Sequence, residues 1–265
     1  MSESGQYRNL LFERDGQVGV VTINRPAVHN AISLETIAEL NSLLGRLEHD
    51  DTLGAMILTG AGDKTFVSGG DLTDFDRLRT IEAAAQMSRD MQSMTERLHR
   101  LPTTVIGAIN GDCIGGGCEV ALACDMRIAS KRARFGFKQV AIGITPAWGA
   151  RNRLLALVGR SLTMRLLLAG EVIDAEQALR IGIVDELVEP AHVVGAARQL
   201  ASVIVSHAPL ATRAIKQAVD EGAQLSGPEA IEFEAQLFAR TWVSADHWEA
   251  LAAMREKRAP RFKGR

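Results

Sequence analysis

Asn110-Gly111-Asp112-Cys113-Ile114-Gly115-Gly116-Gly117-Cys118-Glu119 is the stretch on which the reading of this chain turns. It follows a β-type run over residues 104–109 and opens a helical pattern that reaches to about Cys124. Glycines at a strand-to-helix junction let backbone N–H groups point outward with no Cβ in the way. The helix N-terminus adds a partial positive charge. Together these stabilise developing negative charge. A second stretch, Phe66-Val67-Ser68-Gly69-Gly70-Asp71-Leu72, has the same character after another β-type segment. Tight turns use such glycines too, and spacing alone does not separate the two readings.

Working outward, the first half of the chain alternates short β-type runs with helical patterns. Val18–Ile23 is rich in β-branched residues and ends at the turn signal Asn24-Arg25-Pro26. Ser33 is placed to cap a helix carrying Leu34, Ile37, Leu40, Leu43, Leu44 and Leu47 on one face. Residues 55–59 read as a buried strand, 74–101 as a polar helical region broken once, and 126–130 as another inner strand. From Gly149 onward the pattern is almost wholly helical. Asp174 and Gln177 form a capping pair for a short helix. Helices follow over 190–206, 208–220, 228–240 and 244–257, and Pro209 and Pro228 sit near helix starts, where a missing N–H costs nothing. The expected organisation is α/β, with a core over residues 1–200 and a helical region over 201–265.

Composition narrows the function. Thirty basic and 32 acidic residues leave a formal net charge of -2, giving no electrostatic footprint for nucleic acid or an anionic membrane. No apolar run approaches the roughly 18–20 residues of a membrane span, and the polar start lacks a signal-peptide core, so the expected location is the cytoplasm. Cys113, Cys118 and Cys124 lack zinc-site spacing and read as small core residues; no metal site is expected. No GxGxxG follows a strand, no GxSxG is present, and Gly60-Ala61-Gly62-Asp63-Lys64-Thr65 has Asp63 where a phosphate-binding loop needs glycine. Asp71 reads as a turn-fixing residue, and Asp125 and Arg127 as a structural pair.

With these residues in place, the chain resembles the crotonase (enoyl-CoA hydratase/isomerase) superfamily. The resemblance runs through Asn24-Arg25-Pro26, Asn30-Ala31, Ser68-Gly69-Gly70-Asp71-Leu72, Ile114-Gly115-Gly116-Gly117-Cys118-Glu119, 123–129, Phe135-Gly136, 143–154, Gly170, Ala175, Ala178 and Gly182-Ile183-Val184. It implies a crotonase-like spiral of ββα repeats with a helical C-terminal region that forms homotrimers or homohexamers. It implies an acyl-CoA thioester as substrate, coenzyme A being part of that substrate rather than a separate cofactor. It also implies an oxyanion hole made by the N–H groups of Gly70 and Gly116, flanked by substrate-binding Ser68 and Asp71.

Two carboxylates serve hydratases of this family. The first matches Glu119, a candidate general base or acid. The second matches Gln139, and an amide neither gives nor takes a proton near neutral pH. The resemblance therefore leaves open a hydratase- or isomerase-type enzyme using one glutamate, an acyl-CoA decarboxylase of the methylmalonyl or ethylmalonyl type, and a non-catalytic CoA binder. Trp148, in Pro146-Ala147-Trp148-Gly149, is similar to a feature of some decarboxylases and also suits a plain pocket aromatic. Ala27 stands where many members carry a CoA-contacting lysine, which leaves Arg25, Lys64 and Lys263 as candidates for the phosphates. An RNA-binding role needs a lysine-rich helix, and residues 88–100 mix both signs of charge instead.

Overall fold

The computed structural model describes residues 7–265. β1 (Leu10–Asp15) and β2 (Val18–Ile23) form an antiparallel hairpin, and α1 (Leu34–Leu47) follows. β3 (Ala55–Gly60) and β4 (Thr65–Val67) lead to α2 (Leu72–Phe75) and α3 (Ile81–His99). β5 (Thr104–Ile109) and β6 (Asp112–Ile114) lead to α4 (Gly116–Ala121). β7 (Met126–Ser130) and β8 (Arg134–Gly136) lead, through a 3-10 turn at Lys138–Ile142, to α5 (Ala150–Ala169). β9 (Val172–Asp174), α6 (Ala175–Arg180) and β10 (Glu186–Val188) close the spiral. α7 (Val193–Val205), α8 (Pro209–Gly222), α9 (Gly227–Trp242) and α10 (Ala245–Glu256) complete the chain.

The strand pairs β3-β4, β5-β6 and β7-β8 each give one strand to each of two sheets. The larger sheet has the order β1-β2-β3-β5-β7-β10 and is parallel beyond the opening hairpin. The smaller has the order β4-β6-β8-β9. Parallel strands in such a sheet are covered on both faces and so read as continuous apolar runs. β3 is buried at every position, which is why alternation is missing from its sequence. One face of the larger sheet carries Val20, Ile57, Ile106 and Ile128, covered by Val193, Ala197 and Ala201 of α7. The opposite core gathers the apolar stripe of α1, the end of α3 and the sheet residues Leu58, Val105 and Ile109.

Local signals act as expected in several places. Ser33 accepts from the N–H of Thr36, and the Asp174 carboxylate accepts from the N–H of Gln177. The three cysteines are free and buried. Elsewhere the structure corrects the sequence reading. α4 stops at Ala121 because residues 122–124 turn the chain toward β7, where the N–H of Asp125 binds the carbonyl of Val105. Asp125 and Arg127 do not pair: Asp125 meets Lys216 of α8 at 2.7 Å, while Arg127 meets Asp185 at 3.4 Å. Residue 200, the expected end of the α/β core, lies within α7, which packs on the larger sheet.

Candidate active site

Strands β4 and β6 run parallel and side by side, so the two glycine turns leave the smaller sheet together. A Cβ built on Gly69 would sit 3.2 Å from the Gly116 nitrogen and 3.3 Å from the Ile114 carbonyl oxygen. Gly69 (φ 109°) and Gly115 (φ 56°) occupy the left-handed region that favours glycine. Gly70 and Gly116 do not, and need glycine for space. A Cβ on Gly70 would meet the Phe75 ring at 2.4 Å, and one on Gly116 would meet the Trp148 ring at 2.0 Å.

Both N–H groups are left over by the local hydrogen bonding. Ile32 bridges to the turn through the carbonyl of Gly69 and the N–H of Asp71, which leaves Gly70 outside the ladder. Gly116 is the first residue of α4, where a helix N–H has no intrahelical partner. Among the described residues neither has an acceptor.

Glu119 lies one turn further along α4 and is 1% exposed. Its Oε2 accepts from the N–H groups of Trp148 at 2.7 Å and Ala150 at 3.2 Å. Its Oε1 accepts from Gln139 Nε2 at 2.8 Å and from the N–H of Ala147 at 3.4 Å. Burial pushes the carboxyl above the ordinary glutamate range, and these donors recover only part of the shift. Gln139 is buried as well, and its carbonyl Oε1 has no hydrogen-bond partner among the described residues. An ionised carboxylate only accepts, so the amide must face it with its NH₂ and turn its oxygen away.

The remaining candidates fall in three places. Asp71 caps α2 through the N–H of Asp74 and binds the Arg25 guanidinium at 2.8 Å. Burial opposes its ionisation, but Arg25 and the N–H groups of Asp74 and Thr73 outweigh that and hold the carboxyl below its usual range. Arg25 also donates to the carbonyl of Ala31 at 2.6 Å. Its guanidinium therefore ties the Gly70 turn to the loop after β2. Ser68 is half-buried beside the glycines, its N–H on the carbonyl of His29. Lys263 lies in the C-terminal tail, exposed, with its backbone N–H on Asp246.

A cavity of about 1270 Å³ lies between α3, α5 and α8, behind Thr95, Gly149 and Arg153. In it His99, Asp125 and Asp220 bring possible ligand atoms within 4.8 Å of one another. The Lys216 ammonium, 2.7 Å from Asp125, already supplies the cation there. The three N–H groups that hold Glu119 escaped sequence reasoning because backbone donors carry no residue signature. Only their helix-leading Gly149, with φ of 93°, hinted at a special turn.

The model of the enoyl-CoA hydratase/isomerase family matches residues 13–265. The chain is similar to a short-chain-enoyl-CoA hydratase of Clostridium acetobutylicum, 41% identical over 96% of this chain and 97% of the relative. It is also similar to a crotonyl-CoA hydratase of Syntrophomonas wolfei, 36% identical over 97% and 98% of the two chains. Among solved structures, an enoyl-CoA hydratase from Bacillus anthracis superposes with a TM-score of 0.94 at 32% identity, covering 97% of this chain and 100% of that one.

Proposed function

The chain belongs to the enoyl-CoA hydratase/isomerase family, and from that footing we propose that it hydrates short-chain 2-enoyl-CoA thioesters with a single carboxylate, Glu119. The observation that carries this reading is the pairing of Glu119 with Gln139. Oε2 of Glu119 is saturated by two close donors, whereas Oε1 has one close donor and one at 3.4 Å. Oε1 therefore keeps capacity to accept from a water. The orphaned Oε1 of Gln139 offers that water its second acceptor. The relatives named as hydratases of short-chain and crotonyl thioesters support the same substrate class.

In this scheme the water oxygen attacks Cβ of the enoyl group. The π electrons move to the thioester oxygen, which becomes negative between the N–H groups of Gly70 and Gly116. Glu119 takes the proton from the attacking water and returns it to Cα as the carbonyl reforms. One group thus serves as base and then acid, and the carboxylate is regenerated. A raised pKa suits both tasks, since the protonated form is a competent intermediate near neutral pH. Each donor of an oxyanion hole is typically worth about 10²–10³ in rate.

Decarboxylation fits this arrangement less well. A departing carboxylate needs donors, and Gln139 turns an acceptor away from Glu119. The test is to incubate the protein with crotonyl-CoA and longer enoyl-CoAs and follow loss of the enone absorbance. Hydration of crotonyl-CoA is expected. No turnover at any chain length would overturn the reading, and CO₂ release from methylmalonyl-CoA in its place would favour the decarboxylase.

The C-terminal helices are the proposed contact for a homotrimer or homohexamer. Trp242 stacks with His247 at 4.7 Å and lies 5.4 Å from Phe238, while Phe238, Trp242 and Trp248 remain exposed. Exposed aromatic clusters of this kind suit burial against another copy. Sedimentation of the purified protein reads the assembly. The Lys263 ammonium is proposed for the CoA phosphates. No helix among the described residues is long and apolar enough to cross a membrane, and the cytoplasm is the proposed location.

A further inference from the structure

The turn that holds Glu119 is itself held from behind. Its N–H groups at Ala147, Trp148 and Ala150 face the carboxylate, and its carbonyls face α3. Ser88 Oγ donates to the carbonyl of Ala147 at 2.8 Å, and Thr95 Oγ1 donates to the carbonyl of Trp148 at 2.7 Å. The two hydroxyls are seven residues apart, about two helical turns, and so share one face of α3. The carbonyl of Ala147 and the N–H of Trp148 belong to one peptide group. Ser88 therefore grips the oxygen end of the dipole whose N–H end grips Glu119. Thr95 is fully buried; its contact with the Gln92 carbonyl within α3, at 3.1 Å, is the longer of its two.

The geometry points to Ser88 and Thr95 as positioning residues for Glu119, fixing the general base through the peptide groups of residues 147–149. This rests on Glu119 being the base proposed above. A hydrogen bond into a carbonyl polarises the peptide and strengthens its N–H as a donor. Loss of the Ser88 hydroxyl weakens the Trp148 N–H directly, whereas loss of the Thr95 hydroxyl, whose acceptor shares its peptide with the Gly149 N–H, frees the turn to rock and moves the N–H groups on either side of it away from the carboxylate. Of the charged groups around the site, Arg153 supports only the Ala150 N–H, by a long contact with the carbonyl of the same peptide, and none reaches the carbonyls that Ser88 and Thr95 hold. Arg153 of α5 is bound to Glu96 of α3 at 2.9 Å and to the Gly149 carbonyl at 3.4 Å, and Lys138 of the 3-10 turn points to the Gly170 carbonyl.

The test labels glutamate carboxyls with ¹³C and follows the Glu119 resonance by NMR, identified by its absence in Glu119→Gln. Wild type, Ser88→Ala, Thr95→Val and Thr95→Ser are titrated, and crotonyl-CoA hydration is measured on each. Thr95→Val is expected to raise the Glu119 midpoint and to move the acidic limb of kcat/KM the same way. Its kcat is expected to fall about tenfold with KM within about twofold, as for a displaced but intact base. Thr95→Ser, which keeps the hydroxyl, is expected to restore both. A Glu119 midpoint unmoved in Thr95→Val and Ser88→Ala, or Thr95→Ser behaving as Thr95→Val, overturns the proposal. If Thr95→Val does not fold, Ser88→Ala and Thr95→Ser decide it. The NMR titration reads positioning without turnover, so a wild type inactive on enoyl-CoAs sinks the hydratase reading alone.

Discussion

Gly116 and Gly70 offer the same group, a backbone N–H, from two walls of opposite character. α4 is buried at all six of its positions, and its glycine abuts a tryptophan ring that is 5% exposed. The ring is fixed through its own backbone, the N–H on Glu119 and the carbonyl on Thr95. On the other wall, no residue from 71 to 90 is buried, and Leu72 and Ile81 stand 63% and 84% exposed. Close packing leaves atoms on the first wall no room to yield. Few buried contacts leave the second able to move. In the proposed scheme the proton-handling group thus belongs to the rigid side, and the open side, which supplies only the Gly70 N–H, is suited to admitting and sorting acyl groups.

Substitutions on the two walls sharpen that contrast. The largest loss is expected for Glu119→Gln, about 10³-fold in kcat for crotonyl-CoA hydration, since a single group carries both proton transfers. Gly116→Ala comes next. Its Cβ would be driven into a ring that cannot retreat, costing about 10²–10³ in kcat and, as overpacking, about 1–3 kcal/mol in chemical denaturation. Gly70→Ala meets Phe75, which is half-buried and has room to turn, so a loss of about tenfold is expected. Equal losses for the two alanine variants would erase the distinction between the walls. Ile81→Ser should change stability by less than about 0.5 kcal/mol and show itself, if at all, in KM for longer acyl chains.

The pH dependence tests the buried wall separately. In the proposed scheme Glu119 acts as a base when ionised, and burial raises its pKa in the folded protein. Activity is thus expected to fall as pH drops through a value above the ordinary glutamate pKa of about 4.3. For the same reason, the stability contributed by this group is present below the unfolded pKa and is lost as pH rises through the folded one. An acidic limb at the ordinary value would mean the carboxylate is better solvated than its burial indicates.

Much of this architecture is legible in the sequence because it is written locally. The glycine turns, the buried strands β2, β3, β5 and β7, and the cap at Ser33 each announce themselves within a few residues. β9 and β10 have three residues each, too few for any periodicity, and they exist only because neighbouring strands offer an open edge. The site divides in the same way. Glu119 and Gln139 are visible as residue types, whereas the clamp on Glu119 is made of N–H groups some 30 residues downstream. The Arg25–Asp71 bond spans 46 residues and likewise leaves no local trace. That distance is why Arg25 reads as a free cation in the sequence.

One carboxylate, Glu119, stands beside an amide whose free atom is an acceptor. The most direct measurement compares crotonyl-CoA hydration by wild type, Glu119→Gln and Gln139→Ala at saturating substrate. The expected result is a loss of about 10³ for Glu119→Gln and a smaller one, of about tenfold, for Gln139→Ala, which loses a water acceptor but no proton carrier. Wild-type kcat in Glu119→Gln would contradict it.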